Sequence, residues 1–171
     1  EALKFGGKSA GICYMPDDIE ALFSEPEEKT IRRANMINQL YSTLKQSFRP
    51  LETAHLPEQK DDFETLCDWL NQQGSNLQYV ELKQYFDNGL EDCQLFQQHH
   101  VDISALQEKI DHDIEAALPD EDQEDECDQA IDFYDTVFDT LFDNIKAVAD
   151  PLGLKLLVVV RENPYWMVVP N

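Results

Sequence analysis

The stretch Leu154-Lys-Leu-Leu-Val-Val-Val160 carries a single charge among aliphatic side chains. Its valines favour extended backbone, in which successive side chains point to opposite faces, so the strand has no side suited to water. Leu156, Val158 and Val160 are expected on one face, and Leu157 and Val159 on the other. Such a strand belongs in the middle of a sheet that is covered on both sides. The rest of the chain must supply that cover.

The segment leading into the strand reads as a helix. From Asp128 onward, Ile131, Tyr134, Phe138, Leu141, Ile145 and Val148 follow at alternating steps of three and four, which places them on one helical face. Asp128, Asp132, Asp135, Asp139 and Asp143 recur at nearly the same steps. At about 100° per residue they fill an arc of roughly 80°, centred about 140° from the apolar stripe. One side of this helix must be buried, and another is a ridge of aspartates. Pro151 and Gly153 end it. Ahead of it, six of the nine residues 119–127 are acidic, which predicts a solvated loop or a frayed helical start.

Ala2-Leu-Lys-Phe5 and Ala10-Gly-Ile-Cys-Tyr-Met15 flank Gly6-Gly-Lys-Ser9, the pattern of a β-hairpin. At the other end, Glu162-Asn163-Pro164 turns the chain into Tyr165-Trp-Met-Val-Val169, a second hairpin. Between them the pattern predicts mainly helices. A capping box of Ser24 and Glu27 opens one from about Pro26 to Ser47, with Ile31, Ala34, Ile37, Tyr41, Leu44 and Phe48 inward. Phe63, Leu66, Cys67 and Leu70 mark another, ending before Gly74. Ser75-Asn76 is expected to cap a third, with Leu77, Val80 and Tyr85 or Phe86 inward, until Asn88-Gly89 breaks it. After a turn or two holding Cys93 and Phe96, Ser104 with Gln107 is expected to cap a helix that carries Leu106, Ile110 and Ile114 to Leu118. The expected fold is a single α+β domain. Its sheet is four-stranded, antiparallel or mixed, from the N- and C-terminal hairpins, with a helical layer of about five helices inserted between them.

A length of 171 residues and a 42 % hydrophobic content suit one packed core. No apolar run approaches about 18 residues and no basic-then-apolar leader opens the chain, so neither a membrane span nor a signal peptide is expected. Cys13, Cys67, Cys93 and Cys127 are scattered, which predicts reduced thiols and a cytosolic protein. The formal charge of −22 lies well beyond the roughly 2–8 usual for a small soluble domain. It is uneven: residues 1–86 hold 14 acids and 9 bases, a net of −5, and residues 87–171 hold 21 and 4, a net of −17. Such a field repels nucleic acid and anionic membrane and attracts basic surfaces.

Several short patterns invite a chemical reading. Leu3-Lys-Phe-Gly-Gly7 resembles the opening strand and glycine loop of amino-acid kinases of the aspartokinase kind, which would imply backbone amides and a lysine holding phosphates. Here a second strand follows where that family enters a helix, and the chain is short for the kinase fold, so the hairpin reading is kept. Glu52-Thr-Ala-His55 has the spacing of one half of a di-iron bundle site, but prolines flank it and no second copy exists. Glu108, His112 and Glu115 share a helical face that the apolar stripe of that helix leaves in water. Asp120-Glu-Asp-Gln-Glu124 begins like a calcium loop and then places Asp125 and Ile131 where glycine and glutamate belong.

The leading expectation is a non-enzymatic acidic interaction protein, comparable in role to nuclease immunity proteins and nucleic-acid mimics. It presents Asp128, Asp132, Asp135, Asp139 and Asp143 to a basic protein partner, with no cofactor, no metal, no direct nucleic acid and no membrane. The alternatives are a small enzyme or ligand-binding domain with its site between sheet and helices, or acidity that serves salt tolerance alone.

Overall fold

The structure, a computed structural model, describes residues 12–14, 30–47, 49–52, 54–60, 62–72, 76–118, 126–160 and 162–171. Strand β1 (Ile12–Tyr14) comes first, followed by helix α1 (Thr30–Ser47), the single helical turn α2 (Arg49–Glu52) and helix α3 (Phe63–Asn71). Strand β2 (Gln78–Tyr79) and two 3-10 turns, Leu82–Gln84 and Leu90–Asp92, lead to α4 (Gln94–Gln98) and α5 (Ile103–Ala117). The chain closes with α6 (Glu126–Ala149), a 3-10 turn at Asp150–Leu152, β3 (Leu154–Val159) and β4 (Tyr165–Pro170).

The strands β3 and β4 form the expected antiparallel hairpin, with Leu156 opposite Val168, Leu157 opposite Met167 and Val158 opposite Trp166. On the far side of β4 lies β2, also antiparallel, and β1 runs parallel along β3. The order is β1-β3-β4-β2. The third antiparallel strand therefore comes from the middle of the chain. Ala2–Phe5, the other arm of the expected N-terminal hairpin, lies outside the described residues.

Helices cover both faces of this sheet instead of forming one layer. Leu154, Leu156, Val158, Trp166 and Val168 face α5, α6 and Phe96 of α4. Leu157, Val159, Met167 and Val169 face Ile37, Leu40, Tyr41 and Leu44 of α1, and Leu66, Trp69 and Leu70 of α3. Val160, just past the strand, is half-buried against the first group. The physical reason is the doubly apolar β3 itself, since either face left bare would expose a row of aliphatic side chains to water. On the α1 side, Tyr41 and Trp69 meet edge to face at 5.0 Å.

Residues 77–86 depart from the expected helix. Gln78 and Tyr79 pair with Trp166 and Tyr165, the Val80 amide donates to the Pro164 carbonyl at 3.0 Å, and the Leu82 amide donates to Asn163 Oδ1 at 3.3 Å. Leu77 and Val80 have helical spacing, but an open β4 edge beside a Tyr-Val pair offers these backbone groups sheet partners, and tertiary pairing overrides the local period. The cap of α5 also differs. Asp102 accepts from the Ala105 amide, whereas Gln107 is drawn away from any box with Ser104 by hydrogen bonds to Asn88 and Asp111. In α1 Ile37, Tyr41 and Leu44 are buried as expected, whereas Ala34, expected inward, is exposed, and the side chains of Ile31 and Phe48 lie outside the described residues; α3 matches its stripe, and Asp62 caps it through the Thr65 amide at 2.7 Å. Pro26 to Lys29 lie outside the described residues. Among the described residues no helix is long and apolar enough to cross a membrane.

Candidate functional site

Helices α5 and α6 pack side by side on one face of the sheet and carry most of the described acid of the C-terminal half. Leu106, Ile110 and Ile114 turn α5 inward. Val137, Leu141, Phe142, Ile145 and Ala149 do the same for α6, with Tyr134, Phe138 and Val148 half-buried on the flanks. The buried face of α6 thus centres on Leu141 and Ile145. Asp135 and Asp143 are exposed and Asp139 is half-buried. Asp128 and Asp132 belong to α6, but their side chains lie outside the described residues.

A buried polar contact fixes the two helices against each other. Asn144 donates to Asp113 Oδ2 and to the Thr140 carbonyl, each at 3.0 Å, and accepts from Lys109 Nζ at 2.7 Å. Lys109 also binds Asp113 one turn along α5, and these hydrogen bonds from Lys109 and Asn144 hold the Asp113 carboxyl below its ordinary range. Lys146 is likewise bound to Asp150. Both lysines are thus engaged within the chain, and much of the carboxylate around them is left facing solvent.

At one end of this layer the acids surround a groove of about 340 Å³, between residues 86–92 and the start of α5. Asp87, Glu91, Asp92, Glu108 and Asp111 line it, together with Phe86, which is 64 % exposed. The groove stands on a built floor. Buried Asn88 donates to the Tyr85 carbonyl and to Gln107 Oε1, both at 2.8 Å, and accepts from the Leu90 amide at 3.1 Å. Its own carbonyl accepts from the Trp166 indole at 2.7 Å. Gly89 turns there at φ +76°, and a Cβ at that position would stand 2.6 Å from the Gln78 Cβ. Burial, with the charges of Asp111 and Glu115, pushes the nearby Tyr85 phenol up. The sequence marks this place only as Asn88-Gly89, read above as a helix break; its role as a floor depends on Trp166, distant in the chain.

The remaining sequence candidates do not converge. Glu52 and His55 are both exposed, and the His55 carbonyl accepts from the Trp69 indole at 2.9 Å. Glu108, His112 and Glu115 are exposed along α5. Cys93 is buried in the core and Cys67 is half-buried. Leu3–Gly7 and Asp120–Glu124 lie outside the described residues. Among the described residues no group of three or more His, Cys, Asp and Glu side chains could hold a metal ion.

The arrangement suits the holding of cations, since carboxylates one turn apart raise the local concentration of ammonium and guanidinium groups. Asp135, Asp139 and Asp143 repel one another along α6, each spacing costing a few tenths of a kcal/mol where screening is weak. The melting temperature should therefore rise when NaCl is raised from about 20 mM to about 500 mM at neutral pH. A flat or falling melting temperature would mean that the ridge is already compensated within the chain.

No family model matches the chain, and neither does any curated protein or solved structure with which it was compared.

Proposed function

We propose that this protein is a binding module whose acidic α5–α6 face engages a basic protein partner. One observation carries the reading: the lysines of this layer, Lys109 and Lys146, are committed to Asp113 and Asp150, while Asp135 and Asp143 of the ridge and Asp87, Glu91, Asp92 and Glu108 of the groove are exposed. The groove supplies specificity within that face. A lysine or arginine of the partner would lay its aliphatic stem along Phe86 and bring its charge among Asp87, Glu91 and Glu108.

Electrostatic complementarity of this kind acts chiefly on encounter. The partner is sought by pull-down from lysate at low salt and identified. The triple substitution Asp135→Asn, Asp139→Asn and Asp143→Asn is then compared with the parent chain by surface plasmon resonance across a salt series. Association should slow by about tenfold at low salt and lose much of its salt dependence, with dissociation changed far less. Recovery of no basic protein at low salt, or an association rate indifferent to the triple substitution, would sink the proposal.

A further inference from the structure

The floor of the groove rests on a chemically labile dipeptide. Asn88-Gly89 is the one Asn-Gly pair in the chain. A glycine nitrogen has no neighbouring side chain to shield it, so it can reach the carboxamide carbon of a preceding asparagine and close a cyclic imide. Both residues are nevertheless required here. Position 88 must give two protons, to the Tyr85 carbonyl and to Gln107 Oε1, and accept one from the Leu90 amide, all at 2 % exposure. Among side chains of this size, asparagine supplies both functions. Position 89 turns at φ +76°, and a Cβ there would stand 2.6 Å from the Gln78 Cβ, so only glycine fits. The fold itself imposes the labile pair.

The same contacts hold the chemistry back. The Asn88 carboxamide is bound through its nitrogen and its oxygen, and the carbonyl of the 88–89 peptide is clamped by the Trp166 indole at 2.7 Å. Burial keeps out the hydroxide and water that the reaction consumes. Ring closure requires the carboxamide to leave its hydrogen bonds, so it waits for a local opening of the floor. We propose that Asn88-Gly89 is a self-modification site gated by this floor, and that its product cannot rebuild the floor. In the open state hydroxide takes the Gly89 amide proton and the nitrogen attacks Asn88 Cγ. The Cγ–Nδ2 bond breaks, and ammonia leaves with a proton returned by water. Water then opens the succinimide at either carbonyl, which leaves aspartate or isoaspartate at position 88. Aspartate sets a carboxylate without donors against the Tyr85 carbonyl and Gln107 Oε1, and Gln107 cannot turn its amide toward it without giving up Asp111. Isoaspartate routes the main chain through the former side chain, which moves Gly89 from its seat beside Gln78. Either product leaves the groove reshaped, and the change runs one way.

The test follows the full chain by peptide mapping and mass spectrometry during incubation in mildly alkaline buffer, folded and in guanidinium chloride. In denaturant Asn88 should be the first asparagine to show the mass change from amide to acid, with isoaspartate detected by enzymatic methylation. In the folded chain conversion at Asn88 should be slower by about tenfold or more. Gln107→Ala removes one acceptor of the carboxamide and should speed folded conversion by about threefold or more, and Trp166→Phe should do the same. If Trp166→Phe loosens the whole core, Gln107→Ala, at the half-buried edge of the floor, decides the matter. Asn88→Asp, made directly, should exchange its Trp166 indole proton faster than the parent, because the carbonyl that holds this proton is displaced. Overturning results are an Asn88 that persists in denaturant, folded conversion as fast as unfolded or indifferent to Gln107→Ala, or an Asn88→Asp chain whose indole proton exchanges as slowly as the parent's. None of these readouts involves a binding partner, so this site and the proposed function are tested separately.

Discussion

Replacing Trp166 with alanine is expected to destabilise the fold by about 3–5 kcal/mol, measured by urea denaturation. The side chain is fully buried, packs against Phe96 with ring centroids 6.1 Å apart, and donates its indole proton to the Asn88 carbonyl. Truncation would empty the largest side chain from the core beneath α4 to α6 and leave a buried acceptor without its donor. Trp166→Phe separates the two losses. It keeps most of the apolar contact and removes the donor, so it should cost about 1–3 kcal/mol. The same variant should disturb the groove, because the Asn88 floor loses the contact that ties it to β4. A Trp166→Ala chain as stable as the parent would show that neither the packing nor this hydrogen bond matters.

Leu157→Ala is the second large effect, at about 2–5 kcal/mol. Leu157 is fully buried on the α1 and α3 face, among Leu40, Tyr41, Leu44, Leu66 and Leu70. Its neighbours Leu156 and Val158 serve the other face. Leu157→Ala and Leu156→Ala therefore open cavities in two packing groups on opposite faces of the sheet, and their costs should add to within about 0.5 kcal/mol in the double variant. Strong non-additivity would mean that the sheet transmits strain between its faces. Each single variant should lower the denaturation midpoint without changing the slope.

How far the fold was legible depended on whether a segment's partners were local. The doubly apolar β3 announces its own position, since alternation and hydrophobicity suffice to require cover on both sides. The stripes of α1, α3, α5 and α6 are equally plain, because each repeats over several turns. What escaped was set by distant partners. Gln78 and Tyr79 become strand only because β4 offers an edge, and Asp102 outcompetes Ser104 as a cap because Gln107 is occupied by Asn88. The pairing of β1 with β3 as parallel neighbours is of the same kind. For the candidate site, the aspartate period is readable along α6, and the exposure of Asp135 and Asp143 agrees with it. The groove was not readable, as the helical spacing allows either Tyr85 or Phe86 to turn inward and the Asn88 floor depends on the indole of Trp166.

The parallel contact of β1 with β3 places Ile12 opposite Leu156. Every described helix is encoded between these two strands, and both helical layers rest on β3 and β4. A ribosome therefore delivers α1 through α6 before it delivers the surface on which either layer packs. The emerging chain must carry the apolar stripes of α1, α3, α5 and α6 without their sheet until β3 and β4 leave the exit tunnel, after which both layers can form. Contacts so remote in sequence also form slowly. The abundance of acid, whatever it binds in the finished molecule, gives this waiting chain a mutual repulsion between copies that keeps exposed stripes on neighbouring polypeptides apart.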